Sequence, residues 1–350
     1  MRRLRLLLLA VLLVLSGLTL PACGRRVKYE ATNLTLFDTL TTVVGYAESQ
    51  AAFRRMADRI FTLLEDYHKS YDVYHDYEGR NNLKTLNDNA GVAPVSLKPE
   101  ILDLLDFGRE VNDLTAGAVN IAQGALLRLW SDFRAGVQAG DSVALPDDAA
   151  LTEAAKHADW ANVQVDRAAG TAYLADPAMS LDVGAIAKGY AVEQVALILE
   201  AEGVEGIVLN VGGNLRAIGA QPDGSPWQTS IQNPAKTTGN VLLGRVPLDG
   251  NSCVTSGAYH RYVTFEGVRY AHIIDPSTGY PADRFLSVSI LTRHSGWADA
   301  LSTALFCLSE EEGQALLCAY RKKTGSSAEA LWVLSDETLR SSPGFPLTAS

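Results

Sequence analysis

The sequence predicts an α+β fold, a single large domain with a β core and flanking helices. Three observations carry this reading. Helical periodicity dominates to about residue 157, and short β-type runs dominate from Asn162 onward. No internal repeat and no Pro- or Ser-rich linker divides the 350 residues. Hydrophobic residues make up 47% and charged residues 20%, which supplies a buried core and excludes disordered, collagenous or disulfide-stapled classes.

The chain opens with Arg2, Arg3 and Arg5, followed by an apolar run from Leu6 to Leu15 and then Leu20-Pro21-Ala22-Cys23. The run is short for a membrane span, which needs about 20 residues, and its layout is that of a secretory signal. Leu-x-Ala-Cys resembles a bacterial lipobox. Residues 1–22 are therefore expected to be a lipoprotein signal peptide, with Cys23 the lipidated residue. Residues 23–33 are expected to form a polar tether, and 34–350 the folded domain. The expected location is the bacterial cell membrane, lipid-anchored on its extracytoplasmic face.

Within the domain, the Thr- and Val-rich stretch Leu34 to Tyr46 reads as a first strand. Phe53, Met56, Ile60, Phe61 and Leu64 give helical spacing over about 47–67. The polar, aromatic, Asn-rich stretch Tyr71 to Gly91 reads as a long loop of the kind that carries function. Helical patterns follow at Pro99–Leu114, about Ile121–Phe133 and up to about His157, with Gly136 to Asp148 as a surface loop. Val163–Asp166 and Thr171–Ala175 read as a hairpin. Met179–Asp182 reads as a strand feeding a helix from about Ala185 to Glu202. Gly206–Val211 and Leu215–Ile218 flank the paired Gly212-Gly213. Further strands are expected near Gln228–Gln232, Val241–Pro247, Ala258–Phe265, Leu286–Thr292 and Ala330–Leu334. Helices are expected over Trp297 to Leu308 and Glu310 to Lys323. The last carries Glu310, Glu311 and Glu312 at its start and Arg321, Lys322 and Lys323 at its end, complementing the helix dipole.

Thirty basic against forty acidic residues give a formal charge of −10, which repels nucleic-acid phosphate and disfavours nucleic-acid binding. Beyond Cys23, the cysteines are Cys253, Cys307 and Cys318. None sits in a C-x-x-C pair, and Cys307 and Cys318 fall in apolar helical patterns, so zinc and a disulfide framework are not expected. The P-loop, G-x-G-x-x-G, G-x-S-x-G and H-E-x-x-H signatures are all missing.

Four segments stand out instead. In Ser180-Leu-Asp182-Val-Gly184-Ala185-Ile-Ala-Lys188-Gly189-Tyr190, a strand ends at Asp182 and Lys188 falls in the first turn of a helix. That is either a phosphate seat or an Asp N-cap with a solvated Lys. Leu209-Asn-Val-Gly212-Gly213-Asn214 is either a tight hairpin turn or a close backbone approach to a ligand. Thr255-Ser256-Gly257 precedes His272-Ile-Ile-Asp275-Pro276-Ser277-Thr278-Gly279, which is strong turn chemistry with an imidazole at its entrance, either general base or structural. In Ala298-Asp299-Ala-Leu-Ser302-Thr303-Ala304, Asp299 and Thr303 share one face of an apolar helix. That suits either a hard cation such as Mg²⁺ or a carboxylate complementing the helix dipole.

Taken together, these segments resemble the ApbE family of FAD:protein FMN transferases over about Phe37 to Leu334. Phe37-Asp38-Thr39 resembles the family's opening motif. Tyr77 through Leu83 and Leu86 to Asn87 is similar to its Y-x₅-[LI]-x₂-[LI]-N loop, and Gly117-Ala118-Val119-Asn120 to its G-A-x-[DN] segment. The Asp182–Tyr190, His272–Gly279 and Ala298–Ala304 segments match its D-L-G-G-I-A-K-G-Y, H-I-I-D-P-x-T-G and A-D-A-x-x-T-A motifs.

The resemblance implies an ApbE-like domain that binds FAD and Mg²⁺, cleaves the pyrophosphate and moves FMN onto a Thr or Ser hydroxyl of an acceptor flavoprotein, releasing AMP. By position it implies Asp299, Thr303 and the Ala185 carbonyl as metal ligands, and Phe37, Tyr77, Ala118, Val119, Asn120, Asp182, Lys188 and Ile273 as FAD contacts. His272 is implied as the group that activates the acceptor hydroxyl, with Asp275 the next candidate in the same turn. A lipid anchor would place the enzyme beside membrane-bound redox subunits. Ser302 stands where some relatives carry Asp, and Tyr74 competes with Tyr77 for adenine stacking. Two other classes stay open: an extracytoplasmic FAD pyrophosphatase giving FMN and AMP, and a non-catalytic flavin-binding lipoprotein.

Overall fold

Eight short segments build one antiparallel sheet. The computed structural model describes residues 26–234, 241–259 and 261–349. Its large sheet comprises β1 (Val27–Asn33), β2 (Thr41–Ala47), β3 (Ile207–Val211), β4 (Asn214–Ile218), β5 (Ser252–Gly257), β6 (Phe285–Thr292), β7 (Ala328–Leu334) and β8 (Leu339–Ser341). Their order across the sheet is their order in the chain, each antiparallel to the next. The sheet is thus a meander, and every other described element except the C-terminal Thr348–Ala349 is inserted between its strands.

The largest insertion, between β2 and β3, holds α1 (Gln50–Tyr71), α2 (Leu83–Asp88), α3 (Pro99–Leu114), α4 (Gly124–Ala139), α5 (Asp148–Ala155) and α6 (Ala187–Ala201). It also holds a small sheet in which Thr171–Leu174 lies between Val95–Ser96 and Val163–Asp166. Between β4 and β5 come Trp227–Gln232 and Leu242–Leu248, joined by the C-terminal Thr348–Ala349 into a three-stranded sheet. Between β5 and β6 lie the hairpin Tyr262–Phe265/Val268–Ala271 and a short ladder, Ile274–Asp275 with Tyr280–Pro281. Between β6 and β7 run α7 (Ser295–Cys307) and α8 (Glu310–Thr324).

Strand side chains alternate between the two faces of a sheet, and two cores result. Helices α1, α6 and α7 cover one face, where Val43, Leu209, Ile218, Val254, Ile290 and Trp332 join the main core. The three-stranded sheet covers the other, packing Trp227, Val246 and Leu248 against Val208, Ala217, Cys253, Leu291 and Leu331. A third cluster joins α4 to the hairpin through Trp130, Phe133, Val263 and Ile274.

Local signals explain the well-anticipated elements. Helix α3 begins at Pro99, which fits a first-turn position where no N–H is needed. Helix α8 begins with a reciprocal Ser309–Glu312 capping box and stops at Gly325 in the left-handed region. The Gly212-Gly213 pair is the β3–β4 turn, with φ of 58° and 89°. A side chain at Gly212 would also collide with Thr39, since a Cβ there would lie 2.5 Å from its hydroxyl oxygen.

Several expectations change. The expected tether 23–33 is partly structure: residues 27–33 form edge strand β1, paired along their whole length with β2. Its exposed alternation of polar and apolar residues resembled linker composition. Residues 34–40 contain a short 3-10 turn, so the next strand starts at Thr41. The loop 71–91 carries α2, capped by Asn82, and α4 continues through Gly136 to Ala139. Met179–Asp182 makes only a single bridge, Ser180 to Gln123. The strand expected from Ala258 starts at Tyr262, while β5 precedes it. Cys307 is buried as expected, but Cys318 lies on the exposed face of α8. Cys23 and the rest of the signal lie outside the described residues.

Candidate functional site

Side chains from distant segments are stitched together at one end of the helix-covered face. Asn87, on α2, pairs with the backbone of Leu181: its Oδ1 accepts the Leu181 N–H at 2.7 Å and its Nδ2 donates to the Leu181 carbonyl at 2.9 Å. The 118–124 segment joins the same strip, with the Asp182 N–H donating to the Ile121 carbonyl at 2.8 Å and that of Gly124 to Ser180 at 2.9 Å. A turn through Ala116 and Gly117, both at positive φ, brings Ala118–Asn120 there. The Asn120 side chain is held at both ends: Oδ1 accepts from the Ala122 N–H and Nδ2 donates to the Ala158 carbonyl, both at 2.9 Å. A cleft of about 360 Å³ opens beside it, lined by Asn120, Gln123, Leu126, Ala158, Asp159 and Pro276.

Asp182 accepts the Gly184 N–H at 2.8 Å, so it caps a local turn rather than α6 itself. Burial pushes its carboxyl up, opposed by that bond and by Arg134 and Lys188 nearby. Arg134, on α4, was not singled out from the sequence. Burial lowers its pKa, opposed by Tyr74 and Asp182, and its Nη1 is buried with no hydrogen-bond partner among the described residues. On the sequence it looks like any basic residue on the polar face of an amphipathic helix.

The tyrosines of the 71–77 loop differ. Tyr77 is anchored, its hydroxyl donating to Asp72 at 2.7 Å and Lys69 Nζ lying 5.9 Å from its ring centroid. Tyr74 is 62% exposed, with the Asp182 carboxylate and burial pushing its hydroxyl pKa up. Phe37 sits at φ 51°, a strained conformation for a non-glycine residue. Its N–H donates to His68 at 3.3 Å, and the two rings meet edge to face.

Helices α6 and α7 meet where the expected metal ligands lie. Asp299 is buried, and its Oδ2 accepts the Gly189 N–H at 2.8 Å. That contact requires glycine, because a Cβ on residue 189 would lie 2.5 Å from both the Asp299 Cβ and the Ser295 carbonyl. Gly189 is the third residue of α6, where an N–H has no partner within the helix, and Asp299 satisfies it; the carbonyl of Ala185, just before the helix, receives no donor among the described residues. One turn beyond Asp299, Thr303 Oγ1 lies 3.4 Å from Ser256 Oγ. Ser302 Oγ donates to the Asp299 carbonyl at 2.9 Å and meets Ser256 Oγ at 2.7 Å.

Burial pushes the Asp299 carboxyl up, opposed by Lys188, the Gly189 N–H and the Asn214 amide. No group of three or more His, Cys, Asp or Glu side chains is placed to hold a metal ion among the described residues. A cation here would rest on one carboxylate and neutral oxygens. An all-oxygen set with one carboxylate and an undonated carbonyl suits Mg²⁺, which keeps waters or phosphate oxygens in its shell. The residues fit the ion.

His272 enters the turn beyond β5. Its Nδ1 lies 3.1 Å from the Arg261 carbonyl and so carries the proton, leaving Nε2 as acceptor. Burial pushes its pKa down to about 4, helped by Arg261, Lys188 and Arg134, so the ring is neutral at ordinary pH. Asp275 is occupied by its own turn: Oδ1 accepts from the Ser277 N–H at 2.9 Å and hydroxyl at 2.6 Å. The Trp130 indole pins the same turn by donating to the Gly279 carbonyl at 2.7 Å. The structural alternative therefore holds for Asp275. Ile273 is buried between them.

Comparison with known proteins agrees with this arrangement. The sequence model of the ApbE family matches residues 37–326. The chain is 34% identical to a FAD:protein FMN transferase of Treponema pallidum, over 93% of this chain and 90% of that one. It is 31% identical to one of Vibrio cholerae, over 89% of each. Among solved structures, the ApbE protein of Thermotoga maritima superposes with a TM-score of 0.77 at 27% identity, covering 91% of this chain and 97% of that one. The flavin transferase ApbE of Vibrio cholerae gives 0.75 at 25% identity, covering 92% and 100%. The chain therefore belongs to the ApbE family.

Proposed function

We propose that the chain is an FAD:protein FMN transferase that moves FMN from FAD to a Thr or Ser hydroxyl of an acceptor flavoprotein, with Mg²⁺, releasing AMP. The observation that carries this reading is the Gly189–Asp299 contact, which sets a buried carboxylate at the start of α6 beside Lys188. On a chain of formal charge −10, Lys188, Arg134 and Arg261 all lie close enough to His272 to lower its pKa. Such a local positive field suits a pyrophosphate ligand.

In this reading Asp299, Thr303 and the Ala185 carbonyl hold Mg²⁺, which neutralises pyrophosphate charge when bound. Phe37, Tyr77, Ala118–Asn120, Asp182, Lys188 and Ile273 contact FAD. Tyr77 is the stacking ring, because its hydroxyl is already fixed by Asp72 and little freedom is lost on binding. The neutral His272 Nε2 takes the proton of the acceptor hydroxyl as that oxygen attacks the FMN-side phosphorus. The bridging P–O bond breaks, and the electron pair leaves with AMP.

Lipidation at Cys23 belongs to the same proposal. Since β1 begins at Val27, a Cys23 anchor would hold the sheet edge near the membrane surface with little slack. Cys23→Ala should then release the protein from membranes or leave it unprocessed; unchanged size and fractionation would contradict the anchor.

The function is tested by mass spectrometry of an acceptor flavoprotein incubated with FAD, Mg²⁺ and the enzyme. An acceptor carrying covalent FMN, with AMP released in equal amount, supports transfer. FMN and AMP free in solution over an unmodified acceptor would make the chain a pyrophosphatase. FAD bound without turnover would make it a binding protein.

A further inference from the structure

A set of buried polar groups lies between β4 and the start of α7, and the transfer chemistry does not use them directly. Asn214 and Arg216 are two apart on β4 and so leave the same face of the sheet, the one covered by α6 and α7. Each is 1% exposed. Arg216 Nε donates to Glu193 Oε2 at 3.2 Å, and its Nη2 to Glu200 at 2.9 Å. Glu193 Oε2 also accepts the Ser295 N–H at 2.6 Å, so the ion pair grips the first residue of α7. The Ser295 hydroxyl in turn donates to Asn214 Oδ1 at 2.5 Å.

Oδ1 takes the hydroxyl, and Nδ2 is buried with no acceptor in hydrogen-bond geometry among the described residues. Nδ2 faces the α6–α7 contact: a Cβ built on Gly189 would meet Asp299 Cβ at 2.5 Å and Asn214 Nδ2 at 2.9 Å. The amide is also one of the groups that hold the Asp299 carboxyl down against burial. An unmatched buried donor is costly, about 1–3 kcal/mol, and the other residues of β4 on this face include the apolar Ile218. An amide here needs a reason, and the acceptor it faces is Asp299.

Resting on the reading that Asp299 binds Mg²⁺, we propose that Asn214 is a positioning residue that orients the Asp299 carboxylate for the cation. The Gly189 N–H holds one oxygen and the Asn214 Nδ2–H steadies the group from the strand side. Ser295 keeps the amide from turning, and the Arg216–Glu193 pair keeps Ser295 in place. The paired glycines of the β3–β4 turn thus serve to start β4 where Asn214 reaches the helix layer.

The test is Mn²⁺ binding to the full chain without FAD, read as loss of the free-ion electron paramagnetic resonance signal, with thermal melting alongside. Wild type should bind Mn²⁺, and Asp299→Ala should not. Asn214→Leu should weaken Mn²⁺ binding by about 10–100-fold, as is usual when a group orienting a metal ligand is removed. Ser295→Ala, a smaller change that keeps the helix start, should weaken it in the same direction and so covers a failure of Asn214→Leu to fold. Leu248→Ala, in the other core, should lower the melting temperature and leave Mn²⁺ affinity alone. If wild type binds no Mn²⁺, or Asp299→Ala binds it equally well, the cation reading falls and this proposal with it. If Asp299→Ala abolishes binding while Asn214→Leu and Ser295→Ala bind as wild type does, only the role of Asn214 is overturned. Equal weakening by Leu248→Ala would reduce the effect to general destabilisation and also overturn it.

Discussion

The two faces of the large sheet are built from the same strands and serve different ends. On one face Val208, Ala217, Cys253, Leu291 and Leu331 pack against the three-stranded sheet in an apolar core. On the other, the alternate positions of the same strands include Asn214, Arg216 and Ser256, which meet Glu193, Ser295, Asp299 and Ser302 from the helices. Burying that polar set is expensive unless each group is matched. The first face only stabilises. The second carries the main core and also holds a carboxylate and hydroxyls in fixed relation.

The comparison can be broken by substitutions on either face. The largest effect is expected from Asp299→Ala. It removes the only carboxylate of the cation set and should lower Mg²⁺-dependent FAD turnover by about 10³-fold, the upper range for deleting one preorganised electrostatic group. Circular dichroism should remain that of wild type. On the apolar face, Leu248→Ala should destabilise by about 2–5 kcal/mol through the cavity it leaves, seen as a lower denaturant midpoint, with kcat unchanged in the folded enzyme. A loss of turnover there would mean the two faces are coupled.

Gly189→Ala sharpens the comparison, because its methyl would sit against Asp299 Cβ and the Ser295 carbonyl. Overpacking of this kind costs about 1–3 kcal/mol. Unlike Leu248→Ala, it should lower turnover more than stability, measured as kcat beside the melting temperature.

The smallest effect is one of pH. His272 has its pKa pushed down to about 4, first by burial and then by Arg261, Lys188 and Arg134. A base must be unprotonated, so kcat/KM should hold down through the range where an ordinary His is protonated and fall only as pH approaches 4. Arg134→Gln removes one of those cations and should move the acid limb upward. An acid limb near 6.5 in wild type would show that a different group titrates.

Much of the fold was legible in the sequence, because alternation, caps and turn residues are local signals. Pro99, the Ser309–Glu312 box and Gly212-Gly213 mark element ends by their own chemistry. The polar face was legible only in part. Strand β5 reads Ser-Cys-Val-Thr-Ser-Gly, and its hydroxyls bond within the protein, Ser252 to the Arg293 carbonyl, Thr255 to Ser289 of β6 and Ser256 to Ser302 of α7, so the hydrophobic alternation that marks a strand is missing. Asp299, Thr303, Lys188 and His272 were found through family resemblance, since their local spacing supported structural explanations as well. Arg134, and the links from Arg216 to Glu193 and from Asn214 to Ser295, carry no local signal. Their partners lie 23 and 81 residues away along the chain, and only the meander with its inserted helices brings them together.

The central claim is that the polar face is a cation-dependent flavin transfer site. The most direct measurement is AMP release from FAD in the presence of an acceptor flavoprotein, titrated with Mg²⁺, for wild type, Asp299→Ala and Leu248→Ala. Saturable Mg²⁺ dependence in wild type and Leu248→Ala, lost in Asp299→Ala, is the predicted result. AMP release by Asp299→Ala at the wild-type rate and with the same Mg²⁺ dependence would contradict the account.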